Sequence, residues 1–191
     1  NQIIGQPALL ATGLEQLASG SIVLWGPPGT GKTTIARLLG AESDAYFVAI
    51  SAVFDGVGEL RKVFAAAEMR AQDDIQTILF VDEIHRFNKG QQDALLPAVE
   101  TGTIRLIGAT TENPSFSLNA ALLSRVQIIV LNALDEAALQ QLVSRAEAHY
   151  ERNLPVTDDA RAAVIAYADG DGRYVLNLVE RLYEAAGDGV L

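Results

Sequence analysis

Gly26-Pro27-Pro28-Gly29-Thr30-Gly31-Lys32-Thr33 is the stretch on which the reading of this chain turns. It follows an apolar, β-rich run at 21–25 and opens a segment with helical spacing at 32–39, so it is a glycine-rich turn from strand to helix. Backbone N–H groups in such a turn, backed by the positive end of a helix, cradle phosphate oxygens. Lys32 adds a point charge between the β- and γ-phosphates, the Thr33 hydroxyl reaches Mg²⁺, and Thr34 carries the loop into the helix. The alternative, an ordinary Gly/Pro turn before a helix, leaves both the pattern and its strand–helix context to coincidence.

Outward from this loop, further β-rich runs occur at 46–50, 77–81, 104–109 and 126–131. Helical spacing fills 57–71 and 91–99, with Leu60, Val63, Phe64 and Ala67 on one face of the first. Strands alternating with helices predict an α/β fold whose parallel sheet is covered on both faces. Beyond Leu131 the pattern changes to three helices, at 136–150, 158–169 and 174–186, with no strand among them. The expected organisation is an α/β nucleotide-binding domain over 1–131 and a small all-helical domain over 132–191.

The run Ile78-Leu79-Phe80-Val81-Asp82-Glu83 is a buried strand ending in two carboxylates. That places both acids at the carboxyl edge of the sheet, where ligands of open α/β sheets bind. Asp82 suits Mg²⁺, and Glu83 suits polarising an attacking water as general base. Capping of the next helix is the plainer role for the pair.

Gly108-Ala109-Thr110-Thr111 brings hydroxyls to the same edge, and residues alone leave open whether either senses a γ-phosphate. Arg125 before the fifth strand reads, taken alone, as a solvated charge. Arg173 stands in the first turn of the last helix, against the helix dipole, which marks it as a functional candidate. His85 is expected to be a surface histidine at the sheet edge. Arg86 and Lys89 are weak candidate DNA contacts.

Composition sets the outer bounds. With 191 residues, 49% hydrophobic, the chain can bury a substantial core. It has no cysteine, which excludes disulfides and thiolate zinc sites and fits a reducing compartment. A net charge of −10 argues against a uniformly basic nucleic-acid surface, although not against a local basic stripe. No apolar run approaches the ~20 residues that span a bilayer, so no membrane partner is expected and the reading is cytoplasmic. A start without Met and an end at Gly-Asp-Gly-Val-Leu are expected of a segment of a longer protein.

Phe80-Val81-Asp82-Glu83-Ile84-His85-Arg86-Phe87-Asn88-Lys89, Gln91-Gln92-Asp93, Gly108-Ala109-Thr110-Thr111-Glu112-Asn113-Pro114-Ser115-Phe116 and Leu122-Leu123-Ser124-Arg125, behind the phosphate loop, resemble the replication-associated recombination protein A family. That family is the bacterial relative of the Werner helicase-interacting protein, within the clamp-loader clade of AAA+ ATPases. The resemblance covers essentially the whole chain and implies a P-loop NTPase with strand order 5-1-4-3-2 and a helical lid. It implies ATP and Mg²⁺ as ligands, with Thr111 in preference to Thr110 as sensor 1, Arg125 as the arginine finger offered to a neighbour's ATP, and Arg173 as sensor 2. Ile3, Ile4, Gly5 and Gln6 match the segment lying against adenine, so Ile4 and Gly5 join Gly26 to Thr34 and Arg173 as the nucleotide-binding set. Val126 stands where some members carry Cys or Ala, without consequence for the finger.

The implied partners are DNA with single-stranded gaps or ends, the single-strand-binding protein and further copies of the chain, assembled through a C-terminal domain outside this sequence. The lid is expected to be short by one helix, and the location to be nucleoid-associated. Two other functions share these motifs: a clamp-loader or branch-migration motor subunit, and a nucleotide-gated assembly scaffold with slow hydrolysis.

Overall fold

The computed structural model describes residues 3–6, 17 and 20–187. These fall into two compact units, one of residues 17, 20–26 and 32–131 and the other of residues 3–6, 27–31 and 132–187.

The first unit is built on five parallel strands: β1 (Ile22–Trp25), β2 (Tyr46–Ser51), β3 (Thr77–Asp82), β4 (Ile104–Thr110) and β5 (Gln127–Val130). Their order across the sheet is β2-β3-β4-β1-β5, the expected order read from the opposite edge. Every residue of β4 is buried and so is β3 up to Val81, whereas the outermost strands β2 and β5 are largely half-exposed or exposed. Central strands covered on both faces carry continuous apolar runs, as Ile78–Val81 does.

Helix α1 (Lys32–Ala41) lies close to β2, for a Cβ on its Gly40 would come within 2.5 Å of the Phe47 ring. Phe47 in turn stacks on Phe80 at 6.2 Å. Helices α2 (Val57–Ala71) and α3 (Lys89–Glu100) bury Leu60, Val63, Ala67 and Leu95 in a cluster with Leu79, Val81 and Leu106. Alternation along β3 thus sends Leu79 and Val81 to this cluster and Phe80 to Phe47.

Helix α3 starts at Lys89 because Asn88 and Gln91 form a reciprocal capping box. Two single-turn helices missing from the expected pattern, α4 (Pro114–Ser117) and α5 (Ala120–Leu123), follow β4, each capped by an asparagine. They are too short to show a helical period. Gln92, buried in α3, donates to the carbonyls of Phe87 and Ser117 and accepts from Asn119 N, pinning the segment after β4 beside the one after β3. Arg105 of β4 is buried and donates to the carbonyls of Leu17 and Gly20; burial holds its guanidinium below the usual range.

The second unit packs α6 (Glu136–His149), α7 (Asp158–Ala168) and α8 (Gly172–Ala186) around Leu139, Val143, Ile165, Val175 and Val179. Side chains of Asp135, Thr157 and Asp171 cap their starts, each satisfying otherwise orphaned N–H groups. Glu147 and Arg161 form a two-pronged ion pair between α6 and α7, and Glu147 also accepts from Leu154 N.

Candidate functional site

Parallel strands deliver their carboxyl ends to one edge, and the register fixes what arrives there. Trp25 of β1 is level with Thr110 of β4, and Val81 of β3 with Gly108. The entry to the loop at Gly26, the Asp82–Glu83 pair and the two threonines therefore share that edge. Gly26 is locked in place: its N–H donates to Thr110 O, and a Cβ on it would stand 2.3 Å from Leu131 O. Lys32 is buried at the head of α1, and its Nζ donates to Gly26 O at 2.8 Å, so the ammonium folds back along the loop. Thr33 is half-buried and Thr34 exposed in the first turn of α1.

Asp82 is half-buried at the end of β3, and its Oδ1 accepts from Glu83 N at 3.2 Å. Glu83 adopts the left-handed backbone, φ 51° and ψ 46°, before a 3-10 turn over Ile84–Arg86. Such a conformation is uncommon outside glycine and asparagine, and it clusters at functional sites. The Glu83 side chain is 34% exposed, yet its Oε2 is buried without a hydrogen-bond partner.

His85 departs from expectation. Its side chain is only 3% exposed, with Nδ1 3.0 Å from Thr110 Oγ1 and 3.2 Å from Glu83 Oε2, and Nε2 3.5 Å from Glu112 Oε1. The 3-10 turn, which has no apolar period to betray it, rolls the ring inward. Thr110 is wholly buried, accepts from Glu112 N at 3.0 Å and is committed to this cluster, whereas Thr111, one residue further, is exposed. Glu112 is a member that no sequence signal marked.

Arg125 is exposed after α5 and is held in its own chain: Nε donates to Glu100 Oε1 at 2.6 Å, and Nη1 to Ala121 O and Ser124 Oγ. Arg86 and Lys89 are exposed.

In the helical unit, residues 27–31 of the loop meet the head of α8. Gly172 N donates to Gly29 O at 3.2 Å, and a Cβ on Gly29 would lie 1.8 Å from Asp171 Oδ1. Gly29 and Gly31 hold φ of +70° and +91°, which accounts for glycine at both. The Thr30 hydroxyl donates to Pro27 O, and Pro27 and Pro28 are exposed. Arg173 is exposed beside Gly172, with its N–H donated to Asp171 Oδ1. The start of α8 at Gly172 puts Arg173 in its first turn as expected, two residues ahead of the 174 given by the apolar pattern. Ile4 packs on the helical core, and Gly5, at φ +72°, approaches Leu134 so closely that a Cβ would come within 2.6 Å. The Gln6 amide bonds both ways to the backbone of Asn132.

The donor set suits a phosphate ester carrying a divalent cation. Among the described residues no group of three or more His, Cys, Asp or Glu is arranged to hold a metal ion, so none supplies an all-protein metal cage. A threonine hydroxyl and one carboxylate match Mg²⁺ instead, which keeps waters and takes ligands from substrate phosphates. Among the described residues, no helix is long and apolar enough to cross a membrane.

Comparison with known proteins bears out the resemblance. Replication-associated recombination protein A of Coxiella burnetii is 46% identical over 97% of this chain and 43% of its own length; that of Escherichia coli K12 is 44% identical over 97% and 44%. ATPase WRNIP1 of Dictyostelium discoideum is 44% identical over 86% of the chain and 19% of its own length. The chain thus spans less than half the length of these relatives. Among solved structures, a variant of Thermotoga maritima RuvB superposes with a TM-score of 0.79 at 26% identity, covering 100% of this chain and 68% of its own. The RuvB Holliday junction branch migration motor of the same organism gives 0.77 at 26% identity, covering 98% and 66%. The profile of the ATPase family associated with various cellular activities (AAA) matches residues 22–134, more than half of the chain, and with the sheet order in accord the chain belongs to that family.

Proposed function

We propose that this chain is the MgATP-hydrolysing module of a DNA-dependent ATPase that acts in replication-fork maintenance and recombination on DNA with single-stranded gaps or ends. The observation that carries the catalytic part is the arrival of Gly26, with Lys32 bonded to its carbonyl, and of Asp82 and Glu83 at one sheet edge, with Glu83 in a left-handed conformation that only a surrounding structure can hold. The DNA part rests on the likeness to replication-associated recombination protein A and to RuvB.

In this reading Lys32 leaves the Gly26 carbonyl for the phosphates, and loop N–H groups complete the cradle. Thr33 and Asp82 would hold Mg²⁺, which would supply charge neutralisation at the phosphates. Glu83 orients and polarises the attacking water, and Thr111 marks the γ-phosphate end. Arg173, carried at the head of α8 beside Gly29, adds a second cation. Arg125 acts on a neighbour's nucleotide, which requires it to leave Glu100 on assembly. A finger supplied in trans is worth ~10³–10⁵ in rate in GTPases, so an isolated subunit turns over slowly and assembly is the switch. Single-strand-binding protein and further copies of the chain are the proposed protein partners, and the nucleoid the proposed location.

The test is Glu83→Gln in the intact protein, which is expected to keep ATP affinity and lose turnover by ~10²-fold or more. Normal turnover would remove Glu83 from the mechanism.

A further inference from the structure

Four side chains outside the phosphate loop form a chain of contacts that the proposed reaction does not by itself require. Glu83 Oε2 is buried without an aligned donor, and the nearest ring nitrogen is Nδ1 of His85 at 3.2 Å. That same Nδ1 is 3.0 Å from Thr110 Oγ1. Thr110 Oγ1 in turn accepts from Glu112 N at 3.0 Å and lies 3.2 Å from Glu112 O. With the hydrogen on Nδ1 and the threonine hydroxyl turned to the Glu112 carbonyl, the single ring N–H is aligned on Thr110 Oγ1 and has Glu83 Oε2 beside it as a second acceptor to share it.

We propose that His85 is a positioning residue for Glu83, and that it ties the carboxylate to the segment following β4; this rests on the reading of Glu83 as general base. A buried carboxylate oxygen without a hydrogen bond is costly, so Oε2 is drawn to the one ring N–H beside it. Fixing Oε2 leaves the other oxygen, Oε1, to meet the water. The ring is itself oriented by Thr110, whose hydroxyl is bonded to the Glu112 backbone. A displacement of residues 111–113 therefore moves the hydroxyl, the ring and the carboxylate in turn. This segment runs directly into α4, where Phe116 is 90% exposed. The base is thereby coupled to a loop on the outer surface through two buried side chains.

Asparagine and glutamine separate this role from mere filling of space. The amide of asparagine can place a nitrogen where Nδ1 stands, and that of glutamine where Nε2 stands. In the intact protein with ATP, His85→Gln is expected to lower kcat by about 10–100-fold, the scale of a misplaced catalytic group, with KM for ATP within about 2-fold. His85→Asn is expected to recover most of that loss. Equal losses for the two variants, or a His85→Gln protein with normal kcat, would overturn the proposal. Thr110→Val, which keeps shape and removes the hydroxyl, gives a second reading should the histidine variants not fold: a lower kcat at unchanged KM supports the tie, and an unchanged kcat refutes it. Glu83→Gln measured alongside separates the two claims. An inactive Glu83→Gln with an active His85→Gln sinks only the role of His85, whereas an active Glu83→Gln sinks the general base and this proposal with it.

Discussion

Gly29 and Gly31 both hold left-handed backbone, yet an added methyl would meet different surroundings at each. Nothing lies within 4 Å of a Cβ at Gly31, whereas at Gly29 the same atom would stand 1.8 Å from Asp171 Oδ1 and 2.8 Å from Gly172 N. Both alanine variants bear the left-handed cost, roughly 1–2 kcal/mol. The Asp171 side chain can swing away from the new methyl only by giving up the N–H groups of Arg173 and Tyr174, and loss of such a cap costs ~1 kcal/mol. The Gly172 backbone cannot swing; it has to retreat, at the ~1–3 kcal/mol typical of an overpacked contact. Gly29→Ala is therefore expected to cost roughly 3–6 kcal/mol in all, against about 1–2 kcal/mol for Gly31→Ala. At roughly 2–4 °C per kcal/mol for a chain of this size, Tm should fall by about 2–8 °C for Gly31→Ala and by about 6–24 °C for Gly29→Ala. Scanning calorimetry without nucleotide measures both. Equal losses would refute the close approach of Gly29 to the head of α8.

Three further outcomes are expected. Lys32→Ala should weaken ATP binding by ~10–100-fold, the value of a charge-assisted hydrogen bond, when titrated calorimetrically; unchanged affinity would remove Lys32 from the phosphate site. Subunits carrying Arg125→Ala, mixed with subunits carrying Glu83→Gln, should regain turnover that neither has alone, and if no mixing ratio restores it the trans role fails. The hydrogen bond from Arg161 holds the Glu147 carboxyl below its ordinary 4.5, outweighing the opposing effect of burial. A depressed folded value means that stability is fully present above 4.5 and is lost as pH falls through the folded value. Glu147→Gln should therefore flatten the acid side of a Tm-against-pH curve below that point, and parallel acid limbs for the two proteins would contradict it.

Much of this architecture was legible because the signals were local and repeated. Apolar runs ended at turns, and the 77–81 run ended in Asp82 and Glu83, so strand and acids came together from one reading. The glycine-rich turn from strand to helix was equally plain, since Gly26, Gly29, Gly31 and Lys32 fall within one short run leading from β1 into α1. His85 was misplaced because a single 3-10 turn buries a ring without any apolar period, and the packing that decides it comes from Thr110, 25 residues away. Glu112 and the tie between Arg125 and Glu100 were invisible for the same reason: they are contacts between segments, with no pattern inside either. The pinning of the segment after β4 by Gln92 belongs with them, because a buried amide bonded to two carbonyls leaves nothing in the sequence but one glutamine on a helix.

Steady-state ATP turnover by the intact protein, at fixed salt, with and without duplex DNA carrying a single-stranded gap, tests the central claim most directly. Strong stimulation by the gapped duplex is the predicted result. Tight ATP binding with turnover indifferent to DNA would contradict a DNA-dependent ATPase and make the nucleotide a gate for assembly instead.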